Sequence, residues 1–224
     1  MYPPTPLKER VKMKKLLLTA TLLSIGLTSV PATADGHGSS ISIGADIVSR
    51  YVWRGVDFGD GASVQPSISY ASGAFEIGAW SSWGLTSNGA NEKDLYLSFG
   101  AGPVDITITD YFFPTEGADF LDVGHHTIEV GAGFGAGSLS LFAAMNVAGD
   151  AANNDLYVEV GMDIGTLGDA EIGLVVGLGN EVYTSDGDPM LCNVGLNVSQ
   201  GDFFGSYVIN PDTKTPHLFI GKSF

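Results

Sequence analysis

The sequence predicts an all-β chain: an antiparallel, up-and-down transmembrane β-barrel of about 12 strands, with short periplasmic turns and longer external loops. Three observations carry that expectation. From Ile41 to Phe224, segments of about ten residues alternate apolar residues with polar ones or glycine. The turns between them are alternately short and long, as an up-and-down barrel requires. An export-type leader stands ahead of the whole. The run Leu156-Tyr157-Val158-Glu159-Val160-Gly161-Met162-Asp163-Ile164 shows the period of two, which gives a strand one oily face and one wet face.

The leader comes first in the chain. Lys14-Lys15 precede an apolar run from Leu16 to Val30, and Ala32-Thr33-Ala34 follow as a small-residue cleavage site. The run is short of the about 20 residues a spanning helix needs. Residues 1–34 therefore read as a leader containing a signal peptide, with the true start at Met13 and cleavage after Ala34. Residues 35–224 read as one outer-membrane barrel domain.

The strands follow in order. The first spans 41–54. Strands 64–72 and 74–83 meet at Ser72-Gly73, and Phe75, Ile77 and Ala79 form an outward face. Strands 93–101 and 103–113 meet at Gly102, with Leu95, Leu97 and Phe99 outward. Strands 124–135 and 138–147 meet at Ala136-Gly137, with Leu139, Leu141, Ala143 and Met145 outward. Strands 155–165 and 169–179 flank Thr166-Leu167-Gly168, with Ile172, Leu174, Val176 and Leu178 outward. Strands 190–199 and 202–210 flank Gln200-Gly201, and 216–224 closes the set. Long loops fall at 55–63, 84–92, 114–123, 148–154, 180–189 and 211–215. The even count puts both termini on the periplasmic side.

Aromatic residues gather at the strand ends. Phe75, Phe99, Phe134, Phe203 and Phe224 stand on the turn side, and Tyr51, Trp53, Trp83 and Phe112 on the loop side. That is the distribution of two interfacial girdles, whereas a soluble sandwich would keep its aromatics mid-strand. Lys222 breaks the alternation of the last strand, and a lysine near an interface can snorkel.

The opposite parity supplies a lumen lining of Asp46, Arg50, Arg54, Glu76, Trp80, Asp94, Tyr96 and Asp105. Further along, Thr107, Tyr111, Glu129, Tyr157, Glu159, Asp163, Asn193 and Asn197 continue it. A charge facing lipid near the midplane would cost about 2–4 kcal/mol, which forces this choice of parity. Acidic residues dominate the set, so an open lumen would favour cations. Twelve strands about 4.8 Å apart and tilted about 40° enclose roughly 24 Å between backbones. Side chains narrow that to roughly 10 Å, so one ordered loop closes it. The loop 114–123, with Glu116, Asp119 and Asp122, either folds inward or stays in solvent. Arg50 and Arg54, four apart on one strand face, either select solutes or fix the barrel through internal ion pairs.

Charge excludes one class of partner. Cleavage after Ala34 removes five of the ten basic residues (Lys8, Arg10, Lys12, Lys14 and Lys15) and one of the 25 acidic ones (Glu9). Five positive against 24 negative charges leave −19, which opposes nucleic-acid binding. Cys192 is the only cysteine, so there is no intramolecular disulfide, and it reads as a small packed apolar residue. His125 and His126 point to opposite faces on a strand and cannot chelate one metal together. The pairs Asp57/Asp60 and Asp186/Asp188 are oxygen-rich but lack a calcium-loop pattern and read as solvated loops. Gly131-Ala132-Gly133-Phe134-Gly135 alternates on a strand and leads into no helix, unlike a dinucleotide loop. No motif supports a Ser/His/Asp site. The sequence thus predicts no enzyme, no catalytic residues, no metal and no cofactor.

The run Ser49-Arg50-Tyr51-Val52-Trp53-Arg54-Gly55-Val56, then Gln65-Pro66 and Gly78-Ala79-Trp80, resembles the proteobacterial TorF family of porin-like proteins. Tyr111-Phe112-Phe113-Pro114, Glu129 and the ending Lys222-Ser223-Phe224 continue the likeness. The resemblance implies an outer-membrane barrel without an established substrate and without catalytic residues. It also implies that the last strand, ending at Phe224, is the handle for the barrel-insertion machinery. The function expected is passive diffusion of small solutes through an acidic lumen, with outer-membrane lipid outside. The alternative is a closed structural barrel that transports nothing.

Overall fold

The computed structural model describes residues 38–59, 61–86, 91–115, 117–149 and 155–224. The leader 1–34, Met13, Asp60 and Glu116 lie outside the described residues. The strands are β1 (Ser39–Val48), β2 (Val52–Trp53), β3 (Val56–Asp57), β4 (Ser63–Ser72), β5 (Phe75–Gly84), β6 (Glu92–Ala101) and β7 (Val104–Phe112). They continue with β8 (His126–Ala136), β9 (Leu139–Gly149), β10 (Leu156–Leu167), β11 (Ala170–Gly179), β12 (Met190–Gln200), β13 (Phe203–Asn210) and β14 (Thr215–Ser223). Twelve of them form one closed antiparallel barrel, each paired with its neighbours in sequence, and β1 closes on β14. Strands β2 and β3 form a separate two-stranded hairpin.

Turn chemistry explains the tight end. Five connections are two residues long, and each begins with a glycine at positive φ: Gly73, Gly102, Gly137, Gly168 and Gly201, at φ 59 to 68°. The second residues (Ala74, Pro103, Ser138, Asp169 and Asp202) are not at positive φ, which is the type II′ pattern whose twist suits a hairpin. Single-residue bulges interrupt β8–β9, β10–β11 and β11–β12. The seam is short: Asp46, Ile47 and Val48 pair with Ser223, Lys222 and Gly221. Ala45 and Phe224 extend it by exchanging backbone hydrogen bonds.

Parity divides the residues as the alternation predicts. Ile41, Ile43, Ile68, Ile77, Leu95, Leu141, Val160, Leu178, Tyr207, Leu218 and Ile220 are large, apolar and exposed on the outside. Phe75, Phe99, Phe134, Phe203 and Phe224 stand exposed toward the turn end, and Trp83 toward the loop end. Lys222 keeps company with them, its Nζ 4.3 Å from the Phe224 ring centroid. The packed core lies inside the barrel, where Tyr51, Trp53, Trp80, Tyr111, Tyr157, Tyr183 and Cys192 form one cluster.

Two of those names correct the expectation from sequence. The first wall strand ends at Val48, not at residue 54. Tyr51 and Trp53 therefore belong to no outer girdle; they are buried in the lumen, 5% and 9% exposed. Arg50 and Arg54 likewise do not share a wall-strand face. The physical reason is length: a barrel strand crosses its apolar band in about 9–11 residues, and the chain after Val48 has left the wall.

Candidate functional site: an occluded lumen

The segment after β1 turns into the barrel. Ser49 ends the wall strand, its N–H donating to the Ile220 carbonyl (2.8 Å) and its hydroxyl accepting from the Ile220 N–H (3.0 Å). Val52–Trp53 and Val56–Asp57 then pair as a hairpin around Arg54 and Gly55. Both turn residues have positive φ, 50° and 82°, the type I′ geometry of a tight hairpin. Glycine is forced at the second position, since a Cβ on Gly55 would stand 2.0 Å from the Cys192 carbonyl oxygen of the wall. The Asn210 amide donates to the Gly55 carbonyl at 3.2 Å and pins the tip from the neighbouring strand β13.

Arg54 takes the strained first position and reaches Glu129 of β8. Its two terminal nitrogens donate to the two carboxylate oxygens at 2.5 and 2.9 Å, a bidentate fork, and one also donates to the Tyr183 hydroxyl at 2.6 Å. Tyr111 donates to the same carboxylate at 3.1 Å. The guanidinium carbon lies 4.3 Å from the Trp53 ring centroid and 4.6 Å from that of Tyr157. Both partners of the ion pair are almost fully buried. Burial alone would pull the arginine's pKa down, but Glu129, with Tyr183 and Tyr111 beside it, holds the pKa well above its ordinary value. The planar fork and the stacking both require arginine, because a lysine would supply neither.

A second loop also enters. Within 180–189 a single helical turn, Glu181–Tyr183, buries Tyr183 against Tyr157 and Trp53. Burial raises the Tyr183 pKa, so its hydroxyl keeps the proton that it offers to the network.

One motif recurs on the inner wall: a tyrosine hydroxyl covers each of four buried glutamates. Tyr96 donates to Glu76 (3.0 Å), Tyr51 to Glu92 (2.8 Å), Tyr111 to Glu129 (3.1 Å) and Tyr157 to Glu159 (2.5 Å). Asn193 adds a bond to the Tyr157 hydroxyl at 2.9 Å. A buried carboxylate is costly unless its oxygens are met, and the phenols meet them. Arg50 pairs with Asp57 on the returning arm of the hairpin, and His217 Nδ1 lies 3.7 Å from the same carboxylate.

The two mouths differ. Toward the loop end the hairpin and the Tyr183 turn fill the lumen. Beneath the tip remains a cavity of about 20 Å³ bordered by Arg54, Glu159, Asn193, Asn197 and Ser206. That is about the size for one or two waters. Toward the turn end Asp105 and Asp163 are exposed and Asp46 is partly so, giving an acidic vestibule. Glu76, Trp80, Asp94, Tyr96, Tyr111, Glu129, Tyr157, Glu159, Asn193 and Asn197 are all buried within the barrel.

The loop 114–123 neither folds inward nor hangs free. Phe120 lies against Phe112 and His126, whose parity is that of the outward residues Ile106, Ile108 and Val130. Phe112 thus faces outward but is covered, 3% exposed. His125 stays exposed beside Asp122, while His126 bonds Asp110 (2.7 Å) and the Phe120 carbonyl (2.9 Å). Among the described residues no cluster of three or more His, Cys, Asp or Glu could hold a metal.

Several buried lumen residues lie outside the lining expected from sequence, among them Glu92, Asn146, Asp155 and Tyr183. Glu92 falls on the alternation of Asp94 and Tyr96, one residue ahead of the expected strand 93–101. Tyr183 left no periodic signal.

Comparison with known families places the chain. A family model described as a bacterial protein of unknown function (Gcw_chp) matches residues 32–217, which include the hairpin, Glu129 and the Tyr183 turn. The chain belongs to the Gcw_chp family. No curated protein matches it. The matched span of this Gcw_chp chain runs from ahead of β1 into β14, so the family likeness covers the barrel almost entirely.

Proposed function

We propose that this protein is an outer-membrane barrel of the TorF porin type. It passes small solutes by passive diffusion, favours cations, and has its path closed by the β2–β3 hairpin in the state described. The observation that carries the membrane reading is the exterior. Apolar side chains such as Ile43, Ile77, Leu141, Leu178 and Leu218 are exposed all around the barrel. Soluble monomers rarely expose contiguous apolar patches beyond a few hundred Å². A closed barrel leaves no unpaired strand edge, which is the condition for crossing lipid with strands. The basic and apolar run from Lys14 to Val30, with Ala32-Thr33-Ala34 after it, fits the same itinerary.

The channel reading is supported by the interior. A barrel serving only as a hydrophobic peg has no need of carboxylates, yet Asp46, Asp105 and Asp163 are at least partly exposed in the lumen. Glu76, Glu92 and Glu159, which among the described residues have no arginine partner of the kind Glu129 has, line the way onward. Their field attracts cations. The second reading, a closed structural barrel, is favoured by one observation: the hairpin is packed into the aromatic core rather than resting loosely on it.

Planar-bilayer recording separates the two. Wild-type protein is expected to be mostly silent, and a variant lacking residues 50–57 to give discrete steps with cation preference. A deletion variant that still shows heat-modifiable migration yet stays silent would establish the closed barrel instead.

A further inference from the structure

We propose that the outer wall over β4, β5 and β6 is a binding site for the acyl chain of an anionic phospholipid, with Lys93 as the contact for the net negative charge of its headgroup. The proposal rests on the outer-membrane reading above.

The wall is grooved there for a local reason. Val64 pairs with Trp83 and Ser67 with Trp80, but Gln65 and Pro66 have no ladder partners in Ser81 and Ser82. Proline has no N–H to donate, so the ladder opens at that point. One step toward the turns, Ile68, Ala79 and Leu95 stand side by side across three strands. A methyl between two large side chains makes a trough. The resulting groove is about 530 Å³ and is lined mainly by apolar atoms of Pro66, Ile68, Ala79, Trp83, Leu95 and Phe120. Binding sites for small ligands span about 300–1,000 Å³.

Phe120 makes this more than a dent in a lipid-facing wall. The loop that carries it is drawn down over the outside by His126, which bonds both the Phe120 carbonyl and Asp110. The next apolar residues of that loop, Leu121 and Val123, are 87% and 81% exposed. A loop in water gains nothing from that arrangement, whereas one dipping into a bilayer interface does.

Charge selects the occupant. Lys93 alternates with Leu95 and Leu97 and so points outward, at the loop end of the groove, its Nζ 5.3 Å from the Trp83 ring centroid. Among the described residues no carboxylate lies within ion-pair distance of it. A lysine stem over tryptophan with its ammonium at the interface is poised for an anionic headgroup above a buried chain.

Quenching of Trp83 by lipids with brominated chains tests the site, because Trp53 and Trp80 are buried in the lumen. Protein would be inserted into phosphatidylcholine vesicles containing brominated phosphatidylglycerol, or brominated phosphatidylcholine at equal mole fraction. One lysine at an anionic surface is worth about a fivefold preference, so half-maximal quenching is expected at about fivefold less of the anionic lipid. Lys93→Gln should erase the preference, and Ala79→Phe, which fills the trough, should weaken quenching by both lipids. Equal quenching by the two lipids, or a preference that survives Lys93→Gln, overturns the site while leaving the barrel intact. A protein that does not insert at all overturns the reading beneath it.

Discussion

Arg54 and Glu129 are 75 residues apart in sequence and share a bidentate ion pair, at 2.5 and 2.9 Å, inside the barrel. The pair ties the tip of the β2–β3 hairpin to β8. Removing one partner leaves the other charge buried and uncompensated, which costs about 3–5 kcal/mol, whereas replacing both with apolar residues is often neutral. Glu129→Leu alone should therefore destabilise the protein in denaturant titrations in detergent, and Arg54→Met with Glu129→Leu should recover most of the loss. Equal stability of the single and double variants would show that an uncompensated Arg54 charge is not the source of the loss.

Cys192 provides a direct reading of the hairpin's position. It is fully buried beneath the tip, so a maleimide should not label it in the folded protein. Gly55→Ala places a methyl where the Cys192 carbonyl oxygen already lies and should unseat the tip. Labelling should then rise at least tenfold while heat-modifiable migration persists. Unchanged labelling would mean that the hairpin adapts.

Tyr157→Phe deletes the hydroxyl bonded to both Glu159 and Asn193. A buried polar group left without its partner costs about 1–3 kcal/mol. A loss in that range is expected in the same titrations. Tyr70→Phe, on the exposed outer face, should fall within about 0.5 kcal/mol of wild type.

The outer face has its own test. Leu174 lies mid-strand on β11 with its side chain outward. Arginine there should cost about 2–4 kcal/mol in a bilayer. The same change at Ser138, in an exposed turn, should be nearly silent when folding into vesicles is followed by gel migration.

The barrel was legible because alternation and turn chemistry are local: Gly73, Gly102, Gly137, Gly168 and Gly201 mark the tight end without help from tertiary structure. The hairpin was hidden by the same rule. Tyr51 and Trp53 on one parity, with Arg50 and Arg54 on the other, continue the period of two of β1, so the pattern does not mark where the wall ends. The usable clue was length, since 41–54 is 14 residues, more than a strand needs to cross. Arg54-Gly55 is also a poor advertisement for a type I′ turn, whose first position usually holds Asn, Asp or Gly. It is held there by Glu129, a contact made across 75 residues. Tyr183 rests on a still more distant partner, Arg54, 129 residues away, while Phe120 is held by His126 only six residues on, through a loop contact that strand alternation does not report.

The docking site of the hairpin has a consequence for the order of assembly. Its partners are Glu129, Tyr183, Cys192 and Asn210, spread over β8, the loop after β11, β12 and β13. Ser49, at its root, is fastened to Ile220 of β14. The hairpin can thus make its full set of contacts only in a barrel in which β12, β13 and β14 are in place. Its seating is a checkpoint that a barrel missing a strand, or closed in the wrong register, cannot pass.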